Sequence, residues 1–277
     1  MNLSPSPRAV GLIAGNGHLP VLFADVLKGS GYAIYAIAHE GETRPELSDW
    51  VEDICWIQVG QVEPLIAYFR KASITELVMA GGIEKTRLFG LRPDARGQKI
   101  LSRLIERKDD LLLRAFAETL EQEGFHLKAV TDYCPDLLAG EGVFTRLLTK
   151  TEEADLSWGW PLAKEIGRLD IGQSVVVKEG IVLAVEAADG TDATLRRGGL
   201  LGKEKSMAIK ICKPFQDIRF DLPTVGVKTI QTMISAHVSC LVMEAHKTLL
   251  LDRKLFLDMA RAADIAVVGY VSQNVPF

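Results

Sequence analysis

The short apolar run AVGLIA, residues 9–14, passes directly into Gly15-Asn16-Gly17-His18-Leu19-Pro20 and then into VLFADVLKGSG. That order reads as a buried strand, a tight glycine turn and a helix. Pro20 falls in the first helical turn, where its missing N–H costs nothing, and Gly29 and Gly31 fall at the stop. The alternation then repeats. YAIYAIA from Tyr32, CWIQVG, ELVMAGG and HLKAV read as strands, while VEPLIAYFRKA and DDLLLRAFAETLEQEG, ending at Gly124, read as helices. Strands and helices alternating at these intervals argue for right-handed βαβ units and a parallel sheet covered on both faces. Residues 1–131 are therefore expected to form a Rossmann-like α/β domain.

Beyond Val130 the grammar changes. Residues 131–172 read as short helices and turns, and SVVVKEGIVLAVE reads as a hairpin about Lys178-Glu179-Gly180. MAIKI, SCLVMEA and IAVVGYV are further apolar runs, with a helix or long loop near VGVKTIQTMISA. A chain of 277 residues exceeds the usual size of one core. Residues 132–277 are accordingly expected to form a second, mixed α/β domain, joined to the first somewhere within 131–160.

Composition narrows the function classes. The chain has 32 basic and 36 acidic residues, for a net charge of −4, which argues against a protein that coats nucleic acid. Cys55, Cys134, Cys212 and Cys240 are widely separated and form no CxxC, so they read as thiols in a reducing compartment. The five histidines make no HExxH pair, so any metal is expected to be a hard cation held by carboxylates. MNLSPSPRAVGLIAG does not read as a signal peptide, and no apolar run approaches a membrane span. The cytoplasm is the expected location.

Glycines at Gly15 and Gly17 let backbone N–H groups approach a phosphate while the following helix contributes its N-terminal dipole. A dinucleotide fingerprint wants a third small residue where this chain has Pro20. His18 could reach a phosphate or sugar from the same turn. Glu40 ends the second strand where a ribose-binding acid often lies, and Gly81 and Gly82 end a third strand at the same sheet edge.

The second half holds a denser set. In Gln216-Asp217-Ile218-Arg219-Phe220-Asp221-Leu222-Pro223, a strand would place Asp217, Arg219 and Asp221 on one face and Ile218, Phe220 and Leu222 on the other. A helix would bring the two aspartates together at i, i+4. Lys210 and Lys213, just upstream, can hold a polyphosphate. Glu186, Asp189, Thr191 and Asp192 read as a turn into a helix carrying Arg196 and Arg197. No GxSxG elbow, Walker pattern or Cys–His nucleophile system is present. The residues point to a nucleotide-type binder with carboxylates for metal-assisted attack by water on a phosphate.

The segments GLIAGNGHLP, AVEAADGTDATLRR and KICKPFQDIRFDLPTVGVKTI resemble the LpxI-type UDP-2,3-diacylglucosamine pyrophosphatases of lipid A biosynthesis, nearly end to end. GGIEKTRLF stands where that family has a basic residue followed by Pro after the glycines.

The resemblance implies a cytoplasmic-side hydrolase that directs water to the sugar-side β-phosphorus of UDP-2,3-diacylglucosamine. The products would be UMP and 2,3-diacylglucosamine 1-phosphate, with Mg²⁺ or another divalent cation as cofactor and the substrate held between two domains. It implies an essential aspartate at Asp221 or Asp217, with Asp221 favoured. On this reading Asp217 and Asp221, with Asp192 or Glu186, hold the cation and orient the water. Lys213, Arg219 and Lys210 stabilise the pyrophosphate oxygens. Gly15, Asn16, Gly17, His18, Gly81, Gly82, Thr191, Arg196, Arg197, Lys210 and Gln216 are the expected substrate contacts. Peripheral contact with the cytoplasmic membrane face and a homodimer are compatible with it. Two other classes remain open: an NAD(P)-linked oxidoreductase using Gly15–Gly17, and a non-catalytic nucleotide-sugar sensor.

Overall fold

The structure, a computed structural model, describes residues 8–84, 91–104 and 109–272. MNLSPSP at the N-terminus and residues 85–90, which include the last five of the GGIEKTRLF segment, lie outside the described residues. The chain divides into one unit made of Met1–Pro135 with Asp217–Asp221, and a second made of Asp136–Gln216 with Leu222–Phe277.

In the first unit the elements run β1 (Ala9–Ala14), α1 (Leu19–Gly29), β2 (Ala33–His39), β3 (Asp53–Ile57), α2 (Glu63–Lys71) and β4 (Glu76–Ala80). They continue as α3 (Ala95–Ser102), α4 (Asp109–Gln122), β5 (His126–Lys128) and α5 (Val130–Tyr133). Among the described residues they build a parallel sheet in the order β3-β2-β1-β4-β5. Strand β1 is buried along five of its six residues, as an apolar run flanked on both sides must be. Its two neighbours are β2 and β4, so the strand order reverses beside it. Open α/β sheets bind ligands at the carboxyl ends of their strands at such a point. The turn after β1 and the glycines after β4 both lie there. One core cluster of this unit gathers Leu65, Phe69, Leu77, Leu120, Phe125 and Leu127 and also takes in Phe220 from the distant 217–221 segment.

The second unit runs β6 (Gly142–Val143), α6 (Lys150–Arg168), β7 (Ser174–Lys178), β8 (Ile181–Val185), α7 (Gly190–Gly202) and β9 (Ser206–Lys210). It continues β10 (Thr224–Val225), α8 (Val227–Ser235), β11 (Val238–Glu244), β12 (Leu249–Leu250), α9 (Arg253–Ala262) and β13 (Ala266–Tyr270). Its main sheet has the order β6-β13-β11-β9-β7-β8. Strands β9, β11 and β13 are parallel, whereas β7, β8 and β6 pair antiparallel. The α/β class, the parallel first sheet and the mixed second sheet are as the sequence pattern predicts.

One expectation needs correcting. The region read as short helices and turns contains the 19-residue helix α6. Gly159 and Pro161 disguise it, but a Thr149 side chain that caps Glu152 and a returning Glu152 carboxylate define its start. Gly159 packs closely on β9: a Cβ there would stand 2.7 Å from Ile209 Cδ1, the movable end of that side chain. Helix α7 closes on backbone instead, since a Cβ on Gly199 would lie 1.9 Å from the Ala236 carbonyl oxygen. A backbone atom cannot rotate aside as a side chain can. Gly199→Ala is expected to cost about 1–3 kcal/mol, read as a lowered urea midpoint with an unchanged slope; an unchanged midpoint would contradict the packing.

Candidate active site

The first cluster grows from the reversal point of the parallel sheet. The Gly15 N–H donates to the Ala80 carbonyl at 2.8 Å and the Asn16 N–H to the Gly82 carbonyl at 2.6 Å. A Cβ on Gly15 would stand 2.2 Å from Gly82 O, and one on Gly81 2.3 Å from Asn16 O. These glycines let two backbone turns touch, and the N–H groups of Gly15 and Asn16 are consumed in holding them together. Gly17 differs: it is exposed, with φ +88° and open space about its Cα.

The side chains around the turn are equally committed. Asn16 Nδ2 donates to Glu42 Oε2 at 2.7 Å, and the Glu84 N–H donates to the same oxygen at 3.1 Å. Thr43 Oγ1 and His39 Nδ1 both donate to the Ala14 carbonyl, at 2.6 and 2.9 Å. Burial pushes the His39 pKa down, so at neutral pH the ring is uncharged and its proton sits on Nδ1. His18 lies 3.4 Å from Arg44 Nη1. The buried acid of this edge is Glu42, whereas Glu40 is exposed. Sequence reading missed Glu42 and Thr43; the signal that could have found them is a polar pair placed just past a strand end beside a glycine turn.

The second cluster lies in the second unit, around the end of β9. Lys210 is only 3% exposed, and its ammonium donates to Thr191 Oγ1 at 2.7 Å and to Ser174 Oγ at 3.4 Å. Thr191, at the start of α7, donates its hydroxyl to Glu186 Oε1 at 3.0 Å. Glu186 Oε2 is buried with no hydrogen-bond partner among the described residues. A buried ammonium bonded to hydroxyls, a helix N-terminus and an unsatisfied carboxylate oxygen thus occupy one pocket of polar groups. Nearby, Asp192 pairs with Lys228 at 2.8 Å, and Arg197 is held by Asp189 and by the Val185 carbonyl. Arg196 is exposed. Lys213 pairs with Asp170 at 2.7 Å, both largely buried, and its backbone N–H donates to Gln216 Oε1 at 2.9 Å.

The 217–221 segment is neither strand nor helix, contrary to both expected geometries. It is a turn in which the N–H groups of Phe220 and Asp221 donate to the Asp217 carbonyl at 3.3 and 3.2 Å. Alternation therefore does not set its faces: Phe220 is buried while Ile218 is 54% exposed. Asp217 accepts from the Arg219 N–H, Nε and Nη2 at 3.0, 3.0 and 2.8 Å. Arg219 holds the Asp217 carboxyl below its ordinary range, and Asp217 with Glu121 raises the guanidinium. Because Asp217 is depressed in the fold, its pairing stabilises at neutral pH and is lost as pH falls through the lowered value. Asp221 is half-buried, and its carboxylate has no hydrogen bond or ion pair among the described residues.

Of the four carboxylates expected to hold a cation, only Asp221 has both oxygens without a partner among the described residues. Asp217 is taken by Arg219, Asp192 by Lys228 and one oxygen of Glu186 by Thr191. Among the described residues no group of three or more His, Cys, Asp or Glu side chains is arranged to hold a metal ion. The set does not fit a preformed cage. No disulfide joins Cys55, Cys134, Cys212 and Cys240, and no helix of the described residues is long and apolar enough to cross a membrane.

Residues 9–137 match the LpxI N-terminal domain and residues 140–268 the LpxI C-terminal domain. The chain is 34% identical over 281 residues to the UDP-2,3-diacylglucosamine pyrophosphatase LpxI of Caulobacter vibrioides, covering 97% of this chain and all of that protein. Among solved structures it has a slight likeness to the biotin carboxylase subunit of a pyruvate carboxylase, with 12% identity and a TM-score of 0.26 over 66% of this chain and 39% of that one. The biotin carboxylase domain of the 2-oxoglutarate carboxylase of Hydrogenobacter thermophilus is similar at 13% identity and a TM-score of 0.26, over 71% and 42%. The chain spans about two fifths of those two structures, and neither likeness bears on function.

Proposed function

Because the chain belongs to the LpxI family, we propose that it is a UDP-2,3-diacylglucosamine pyrophosphatase of lipid A synthesis. The observation that carries the reading is the end-to-end match to a relative of that name. The reaction adds water across the pyrophosphate. The water oxygen bonds to the sugar-side phosphorus, the bridging P–O bond breaks, and UMP leaves with the bridging oxygen.

Asp221 is the residue to which we give the attacking water. Its carboxylate is partly buried and has no competing cation among the described residues, so it can accept the water proton. Lys210 and the N-terminus of α7 supply positive charge to phosphoryl oxygens, with Thr191 as a hydroxyl that both accepts and donates. Lys213, already paired with Asp170, contributes less net charge.

A divalent cation would come to the site with the pyrophosphate itself. Mg²⁺ commonly keeps several waters and takes substrate phosphates as ligands. A cation bound there would supply positive charge to the phosphate oxygens; among the described residues no preformed cage for it is present. Following UMP release from UDP-2,3-diacylglucosamine tests the function. Turnover that stops in EDTA and returns with excess Mg²⁺ is expected, while the substrate-free protein shows no tight Mg²⁺ binding by calorimetry. No UMP release would sink the function, and tight Mg²⁺ binding by the free protein would restore a resident site.

A further inference from the structure

We propose that Glu121, Arg219 and Asp217 form a clamp that positions Asp221, so that Asp217 and Arg219 are positioning residues and the reacting carboxylate belongs to Asp221 alone. The inference rests on the reading of Asp221 as the group that takes the water proton.

The clamp has three layers. Asp217 makes an Asx-type turn by accepting the Arg219 N–H at 3.0 Å, and the same carboxylate holds the side chain through Nε and Nη2. The guanidinium has one more arm: Nη1 donates to Glu121 Oε1 at 2.5 Å, on helix α4. Below it, Phe220 enters the core cluster that holds Leu120, Phe125 and Leu127, and the guanidinium carbon sits 5.6 Å from the Phe220 ring centroid. The turn is thus pinned to α4 by a polar contact above and an apolar one below. The N–H of Asp221 closes it onto the Asp217 carbonyl at 3.2 Å, which fixes the backbone that carries the unpaired carboxylate.

This arrangement gives two acids four residues apart different surroundings. Both carboxylate oxygens of Asp217 accept from Arg219, whereas those of Asp221 accept from none of the described residues. Glu121 lies 98 positions from Arg219 and sits on a helix with nothing to mark it in sequence. Lysine in place of Arg219 could reach one partner but not bridge both, because only the planar fork donates in two directions at once.

The test uses the full-length protein with UDP-2,3-diacylglucosamine and compares Glu121→Gln, Arg219→Lys and the double variant. The Glu121 side chain is 41% exposed, so its isosteric replacement is expected to leave the fold intact. A half-exposed ion pair sets the scale: kcat is expected to fall about 3- to 5-fold in Glu121→Gln. Arg219→Lys is expected to lose about 10-fold, with KM within about twofold of wild type in both. The double variant should fall no further than Arg219→Lys, since the two groups act through one contact. Amide exchange at Phe220 and Asp221 should quicken in step. Wild-type kcat in both single variants, a loss confined to KM, or fully additive losses would overturn the clamp. An active Asp221→Asn would instead overturn the underlying reading of Asp221, which keeps the two failures apart.

Discussion

Asp221→Asn is expected to release UMP at least about 10²-fold more slowly than the wild type, the scale on which a positioned general base contributes. The substitution keeps shape and removes only the charge and basicity. The folded state gives little reason for a stability change, because the Asp221 carboxylate makes no hydrogen bond or ion pair among the described residues. The thermal midpoint and KM are therefore expected to stay near wild type, while kcat and kcat/KM fall together. That pattern separates a residue acting in the transition state from one that holds substrate or fold. Turnover within a few-fold of wild type would remove Asp221 from the chemistry and return the question to Glu186.

Lys210→Met is expected to lower kcat/KM about 10²-fold, comparable to deleting one preorganised donor from an anion site, while leaving stability unchanged or raised. The reasoning is that Lys210 is 3% exposed and its ammonium meets hydroxyls, not a carboxylate. Burying a charge without a direct counter-charge opposes folding, so an apolar side chain of similar length relieves a cost. Glu186 stands one hydroxyl away through Thr191 and leaves one oxygen unpartnered. A protein that keeps such a lysine against stability is expected to use it on an anion. Urea melts alongside UMP-release kinetics would show the two effects moving in opposite directions. A large loss of stability with activity preserved per folded molecule would make Lys210 a structural residue.

Much of the fold was legible in the chain. The first sheet follows from apolar runs and glycine stops that recur at βαβ intervals, and β7 and β8 meet around Lys178-Glu179-Gly180 as their turn chemistry requires. Helix α6 was hidden because Gly159 and Pro161 lower local propensity, and its burial against β9 outweighs them. The polar periodicity of 217–221 misled for the opposite reason. Alternation implies a strand only when a neighbouring strand is there to pair with; here Phe220 is drawn into a core and the backbone turns on itself.

The site divides along the same line. Local spacing was enough to nominate Asp217, Arg219, Asp221, Lys210, Lys213, Thr191 and Glu186, because the chemistry of phosphate handling needs those residue types close together in some combination. Spacing could not tell which of them are spent on the fold. The partners that decide it come from far along the chain: Glu121 for Arg219, Asp170 for Lys213 and Lys228 for Asp192. A carboxylate is a base or an ion-pair partner according to what lies within about 3 Å of it, and only the folded chain sets that distance. The sequence alone therefore determined the two α/β architectures and the short list of polar residues. Tertiary structure decided that Asp217 is occupied, that Asp221 is open, and that Lys210 is buried without a carboxylate.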